Sequence, residues 1–275
     1  MNLYKWITGR RADLISRQAS RLPYLLFCMV FATSTIAQEA GRNDQSLEDA
    51  ASDPTASLMS FQLQNFYTSN IHNSAASSNS VQFRAAVPFR LWSLNHIFRA
   101  TLPYATETAA GRSGFGDITV FDLVTFDRTW GRFGVGGVAL LPTGKTGLSA
   151  EKWAVGPAAG FVAQRPWGLL GLFNQNLFTV AGESGQPDVN ISTLQPILSV
   201  PIGNGWSVGA SDMTFVYDWE QNRFSSLPLG VKVAKLTSLG GKTVQWQLSY
   251  ERNFYDTGNG PKDTIGLTGK LLLPK

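Results

Sequence analysis

His72 and His96 are the only two histidines in this 275-residue chain. An imidazole can activate a nearby hydroxyl nucleophile when a third group orients it. His72 precedes Ser74 by two residues, and the sequence shows only this adjacency. A hydrolase or acyltransferase that uses His72 is therefore one alternative, whereas His96 is expected to have an interfacial structural role near a tight turn.

The segment Gly144-Lys145-Thr146 ends like a phosphate-binding loop. That motif needs a glycine five residues before Gly144, where this chain has Ala139, and no helical pattern follows. We interpret the segment as a turn after Pro142. Two histidines and one cysteine, without clustered carboxylates, make no metal site. The sequence therefore predicts no enzyme, no cofactor and no metal.

Charged and amide side chains at alternate positions are the other candidate functional groups. In 81–91, 96–104, 227–234, 244–251 and 265–272, apolar residues alternate with polar or small ones. Successive side chains of a strand point to opposite faces, so the polar set shares one face. Its candidate members are Arg84, Arg90, Arg99, Lys232, Gln245, Gln247, Glu251 and Lys270, with Gln62, Gln64, Asn174, Asn176 and Gln195 as extensions.

Short β-type runs separated by Gly, Pro, Asn and Ser must position these groups. We predict twelve strands, near 59–67, 79–92, 96–104, 116–126, 131–142, 153–164, 167–181, 188–201, 206–217, 226–237, 243–255 and 263–273. The runs 116–126 and 131–142 alternate poorly, so the facing of their side chains stays unassigned.

The connections and the tryptophans favour a transmembrane barrel over a secreted β-sandwich. Connections of about six to eleven residues alternate with connections of about two to five, as in outer-membrane barrels. Trp92, Trp130, Trp167 and Trp206 flank short turns, and Trp153 flanks a long one, as does Trp219. Indoles prefer the headgroup layers of a bilayer. We therefore predict an all-β fold: a closed antiparallel barrel of about twelve strands over residues 59–275, with apolar side chains outward.

The first 37 residues have the pattern of a secretory signal peptide. Five Lys or Arg precede an apolar stretch at 22–36, and Ala37 ends a small-residue cleavage site. Residues 1–37 hold five of the 23 basic residues and one of the 19 acidic ones, which leaves 18 of each. The basic balance therefore belongs to the signal, and nucleic-acid binding is not expected.

Residues 38–58 form a separate acidic segment between the signal peptide and the first strand. Five acids stand against Arg42, which gives a charge of about −4. Such a segment is either a solvated periplasmic leader or a plug that enters a positively lined barrel.

Several turn and strand-end motifs also resemble one known family. They are Gly114-Phe115-Gly116-Asp117, Leu141-Pro142-Thr143-Gly144, Gln175-Asn176-Leu177-Phe178, Leu194-Gln195-Pro196, Gly205-Trp206, Asp218-Trp219, Leu227-Pro228-Leu229-Gly230 and Leu271-Leu272-Leu273-Pro274-Lys275. In this order they resemble the Gram-negative outer-membrane family named for the meta-pathway of phenol degradation. The resemblance implies an outer-membrane transporter of small, often hydrophobic compounds, and it supplies no catalytic residues.

These patterns lead to one functional expectation and two alternatives. We expect an outer-membrane channel for passive passage of small aromatic or anionic molecules, exported by its signal peptide. Its partners would be the lipid bilayer, the solutes and the outer-membrane assembly machinery, and a barrel of this size can stand alone as a monomer. The alternatives are a structural or sensory barrel with a filled lumen, and a hydrolase with His72 at the barrel rim.

Overall fold

The computed structural model describes residues 47–255 and 260–273. The predicted signal peptide and residues 38–46 of the acidic segment lie outside these ranges. One helix, α1, spans Leu47–Ser52, and the described chain after it is mostly strand. None of the described helical residues forms a helix long and apolar enough to cross a membrane.

Within the described ranges, fifteen strands follow α1. They are β1 Met59–Ile71, β2 Ser78–Leu91, β3 Leu94–Glu107, β4 Gly114–Phe115, β5 Ile118–Arg128, β6 Gly131–Leu141, β7 Lys152–Arg165, β8 Gly168–Gly182, β9 Ile191–Gly203, β10 Trp206–Ala210, β11 Phe215–Asp218, β12 Arg223–Ser226, β13 Pro228–Leu239, β14 Lys242–Asn253 and β15 Pro261–Leu273.

These strands build a closed wall of twelve. β10 and β11 both pair with β9, so they form one wall strand that is interrupted at 211–214. β12 pairs with β11, and β13 pairs with β10. β12 and β13 together therefore form the next wall strand. β4 is a two-residue ladder on β3. Because β1 also pairs with β15, the antiparallel ring closes, and the predicted twelve-stranded barrel is confirmed.

The connections alternate as predicted. One end of the barrel, the short-turn end, carries two-residue turns after β2, β5, β7, β9 and β13, and the other end carries the longer loops. Three of these turns have positive φ at both residues: Trp92 with Ser93, Asn204 with Gly205, and Gly240 with Gly241. This backbone matches the twist of adjacent strands and favours Gly and Asn.

Burial is inverted relative to a soluble protein. Leu229, Val231 and Leu267 are each more than half exposed, whereas Gln64 and Gln245 are 1% exposed. Apolar side chains therefore face outward and amides face the lumen, which is the arrangement of a barrel that contacts lipid. A sandwich would bury its apolar face instead.

The lumen has two chemically different sectors. β1–β3 and β13–β15 contribute buried amides, hydroxyls and cations, whereas β5–β9 contribute an apolar cluster. The cluster consists of Phe121, Leu123, Val138, Ala154, Ala158, Val162, Leu169, Phe173, Leu177 and Ile197. β5 and β6 alternated poorly in the sequence because they are apolar on the inner face as well as the outer one.

Candidate functional site

The break in the wall at 211–214 brings an acid into contact with the polar sector. Asp212 Oδ2 lies 3.4 Å from Arg84 Nη1 and 3.5 Å from Gln64 Nε2. Asp212 Oδ1 lies 3.8 Å from Lys232 Nζ. A regular strand would have continued along the wall at 211–214. Because the strand is interrupted there, Asp212 reaches into the lumen and forms an ion-pair centre with Arg84 and Lys232.

Arg99 lies where the two sectors meet. Its guanidinium carbon is 4.2 Å from the centre of the Phe121 ring and 5.7 Å from that of Phe173. Its Nε is buried without a hydrogen-bond partner in the described chain, and no described carboxylate forms an ion pair with it. Cation–π contact stabilises such a desolvated guanidinium only in part.

A cavity of about 60 Å³ lies among these groups. Arg84, Arg99, Lys232 and Lys270 line it, and Asp212 is the acid of the lumen wall that faces them. Ile97, Ile197 and Leu272 line it as well, together with Ala86 of β2 and the end of the acidic segment. The lining is therefore mixed, because Ala86, Ile97 and Leu272 each lie two positions from a cation on the same strand.

Residues 47–58, called here the mouth segment, lie inside the short-turn end of the barrel. Lys270 Nζ donates a 2.5 Å hydrogen bond to the carbonyl oxygen of Ala51. Arg132 Nη1 donates a 3.0 Å hydrogen bond to the carbonyl of Thr55 and lies 3.6 Å from the carboxylate of Asp53. Both Asp53 and Thr55 are buried.

Apolar contacts complete the packing of the mouth segment. Ala51, Ala56 and Leu58 form a buried cluster with Leu272 of β15, and Leu236 of β13 packs against it. The Asp53 carboxylate also accepts hydrogen bonds from the backbone N–H and the hydroxyl of Thr55, which closes a local turn. The segment is thus attached to opposite walls of the lumen by polar and apolar contacts.

The structure brings together six of the predicted lining residues. Arg84, Arg99, Lys232 and Lys270 share the cavity with Gln62 and Gln195. Arg90 is exposed instead at the short-turn rim, where its Nη2 lies 3.5 Å from the carbonyl oxygen of Ser93. Three predicted residues of β14 lie on the lumen face outside the cavity: Gln245, Gln247 and Glu251.

Asn174 and Asn176 do not line the lumen. The inner positions of β8 belong to Phe173 and Leu177, which are buried in the apolar cluster. The two asparagines lie on the outer face, where Asn176 Nδ2 donates a 2.7 Å hydrogen bond to Asn174 Oδ1. Asn174 Nδ2 in turn donates to the carbonyl of Thr193 at 2.8 Å. Internal hydrogen bonds thus satisfy these amides outside the lumen.

Within residues 47–255 and 260–273, neither histidine forms a hydrogen bond with a serine or threonine hydroxyl. His72 Nε2 lies 3.0 Å from the carbonyl oxygen of Asn253, and Ser74 Oγ accepts a hydrogen bond from the backbone N–H of Ala76. On the outer face, His96 Nδ1 lies 2.8 Å from Asp122 Oδ2. The described residues contain no group of three or more His, Cys, Asp or Glu that could hold a metal ion.

The motifs around Asp117 and Gly144 lock two long loops together. The Asp117 carboxylate accepts hydrogen bonds from the backbone N–H groups of Gly144 at 2.9 Å and Ala150 at 2.7 Å. A Cβ at Gly144 would lie 2.8 Å from the backbone of Gly116, so only glycine fits there without a shift. Lys145 Nζ donates to the carbonyl of Ser113. This segment is a loop anchor and does not form a phosphate-binding loop.

Comparisons with known proteins agree with this architecture. No protein-family model matches the sequence, and no curated protein matches it. The fold is similar to an outer membrane channel from Pseudomonas putida F1, with a TM-score of 0.56 and 16% identity over 86% of this chain and 100% of that one. Outer membrane phospholipase A from Escherichia coli gives a TM-score of 0.41 and 10% identity over 78% and 92% of the two chains. A Rh. blastica porin variant gives 0.26 and 8% over 79% and 99%. At 16% identity, the likeness to the Pseudomonas putida channel establishes the outer-membrane barrel fold alone.

Proposed function

We propose that this chain is an outer-membrane channel for passive passage of small molecules, related to the phenol meta-pathway family. The observation that carries the proposal is the cationic sector sealed inside a barrel with an apolar outer face. Buried cations cost free energy that a structural barrel could avoid with apolar side chains. By analogy with outer-membrane barrels, the short-turn end faces the periplasm.

Selectivity in this channel comes from the two sectors of the lumen. Arg84, Arg99, Lys232 and Lys270 raise the local concentration of anions. The apolar cluster of β5–β9 removes apolar solute surface from water. Solutes diffuse along this path down their concentration gradient, without energy coupling.

The mouth segment acts as a plug that holds the channel closed. Glu48, Asp49 and Asp53 give it the sign of charge that a basic lumen attracts. A cavity of about 60 Å³ is smaller than the roughly 150 Å³ that holds benzene in an engineered core. Flux of ring-sized solutes therefore requires the segment to withdraw.

A structural or sensory barrel with a filled lumen is the second candidate. The packing of the apolar cluster and of the mouth segment favours it, because both occupy the lumen. Liposome swelling with arabinose, benzoate and toluene separates the two, with the mature chain and with a variant that lacks residues 38–57. Faster flux through the shortened chain supports the plugged channel, whereas flux through neither protein supports the filled barrel.

Charge reversal tests the basic sector of the lumen. Replacing Arg84→Glu and Arg99→Glu together should lower the preference for anions in planar bilayers. The matched control is Arg90→Glu, because Arg90 is exposed at the rim. Equal selectivity in all three proteins would rule out the basic sector as the selectivity filter.

A further inference from the structure

We infer that the cavity is a binding site for small aromatic carboxylates, which bind with the carboxylate among the four cations and the ring toward the apolar cluster. The inference rests on the proposed channel function, because the solute reaches the cavity through the lumen. It adds a defined ligand class and a binding step to what is otherwise simple diffusion.

The charges around the cavity are incompletely balanced by the wall. Asp212 contacts Arg84 and Lys232 at 3.4 and 3.8 Å, and these two cations therefore have an acidic partner. Within the described residues, Arg99 contacts the Phe121 and Phe173 rings and forms no ion pair, and Lys270 donates to the neutral carbonyl of Ala51. Asp53 of the mouth segment also lines the cavity, where it lies 3.6 Å from Arg132 and accepts hydrogen bonds from Thr55. Asp212 is the wall acid that forms ion pairs with these cations, and a ligand carboxylate would add charge-assisted hydrogen bonds of the stronger kind.

The apolar residues of the site explain why the ligand is aromatic. Arg99 lies over Phe121 and Phe173, so a carboxylate on this guanidinium holds its ring close to the apolar cluster. Ile97 and Ile197 line the same cavity. A short anion such as acetate would satisfy the cations and leave the apolar wall uncovered, whereas a benzoate-sized anion contacts both.

Binding and closure compete for the same groups. A ring does not fit in about 60 Å³, so the ligand takes the space of the mouth segment near Ala51. Lys270 then exchanges its hydrogen bond to the Ala51 carbonyl for one to a carboxylate, which is the stronger acceptor. A bound aromatic carboxylate therefore favours the open state of the short-turn end.

Fluorine NMR of the mature chain in lipid nanodiscs tests this site, with 4-fluorobenzoate as the ligand and 4-fluorobenzamide as its neutral analogue. Empty nanodiscs correct for partition into lipid. We expect saturable binding of 4-fluorobenzoate and at least about tenfold weaker binding of the amide, the factor that a charged hydrogen bond supplies. Equal binding of the two compounds would overturn the inference.

Two variants locate the binding to this cavity. Arg99→Gln should weaken 4-fluorobenzoate binding about tenfold, whereas Arg90→Gln at the exposed rim should change it less than about twofold. Heat-modifiable gel mobility verifies folding, and Lys232→Gln replaces Arg99→Gln if the latter does not fold. Equal affinities of the cavity and rim variants would overturn the site.

Arabinose flux measured in parallel separates the site from the channel. Arabinose flux without 4-fluorobenzoate binding would overturn the site and leave the channel function standing. Saturable binding without flux of any solute would support the site and overturn the channel function.

Discussion

Replacing Arg132→Gln should release the mouth segment from the lumen. Arg132 is 5% exposed and donates to the carbonyl of Thr55, and it lies 3.6 Å from the fully buried carboxylate of Asp53. Removing one partner of a buried ion pair costs about 3–5 kcal/mol. Arg132 Nε also lies 2.6 Å from Asp127 Oδ1, and this contact within the wall does not depend on the mouth segment. We therefore use the lower end of that range of free energies. A cost of about 3 kcal/mol raises the undocked fraction about a hundredfold.

Cysteine labelling measures this fraction directly. Ala56 is buried in the mouth segment, and the single native cysteine, Cys28, lies in the predicted signal peptide. In an Ala56→Cys background, the rate of modification by a maleimide follows the undocked population when docking is fast, as proteolysis does. We expect Arg132→Gln to accelerate modification about a hundredfold in the folded, lipid-embedded protein.

The control is Arg128→Gln in the same hairpin. Arg128 is exposed and lies over the Phe133 ring, so its loss should leave the modification rate within about twofold. The reasoning would be refuted by equal rates in Arg132→Gln and its parent. It would also be refuted by a parent that reacts as fast as the urea-unfolded chain, because the segment would then not be docked at all.

Three further changes test other parts of the structure. Asp212→Asn removes the acid that contacts Arg84 and Lys232, so the reversal potential in a KCl gradient should shift toward anion selectivity; an unchanged potential would contradict the ion-pair centre. Phe173→Ala should destabilise the barrel by roughly 3 kcal/mol in urea unfolding, because it empties a fully buried position; a loss well below 1 kcal/mol would mean that the apolar cluster is loosely packed. Asp117→Ala removes two loop hydrogen bonds, so proteolysis at 143–151 should quicken while gel mobility stays heat-modifiable; unchanged cleavage would assign the loop order to other contacts.

Much of the barrel follows from local patterns in the sequence. A strand between lipid and a polar lumen must alternate, and β2, β13, β14 and β15 do so, so their sequences predict which side chains face the lumen. The Asn-Gly and Gly-Gly pairs predict tight turns, and both lie at the short-turn end of the barrel. The grouping of Arg84, Arg99, Lys232 and Lys270 then followed from the pairing of the last strand with the first.

The remaining features depend on tertiary context. β8 carries Asn174, Gln175 and Asn176 in succession, so polarity alone does not reveal which face is inward. The interruption at 211–214 and the inward turn of Asp212 have no local signature, because 206–217 reads as one strand. Arg90 occupies an alternate position that the pattern assigns to the lumen face, but it lies near the end of β2 and is therefore at the rim. Alternation shows which face a residue is on and does not show how far it lies from the rim.

The mouth segment contacts wall strands that are far apart in the chain, Arg132 in β6 and Lys270 in β15. Its binding surface comes into existence only when the last strand joins the first. The mouth segment precedes every wall strand in the described chain, and it would nevertheless be the last part of this unit to become ordered. A chain stalled before β1 and β15 pair would keep the mouth segment accessible to proteases.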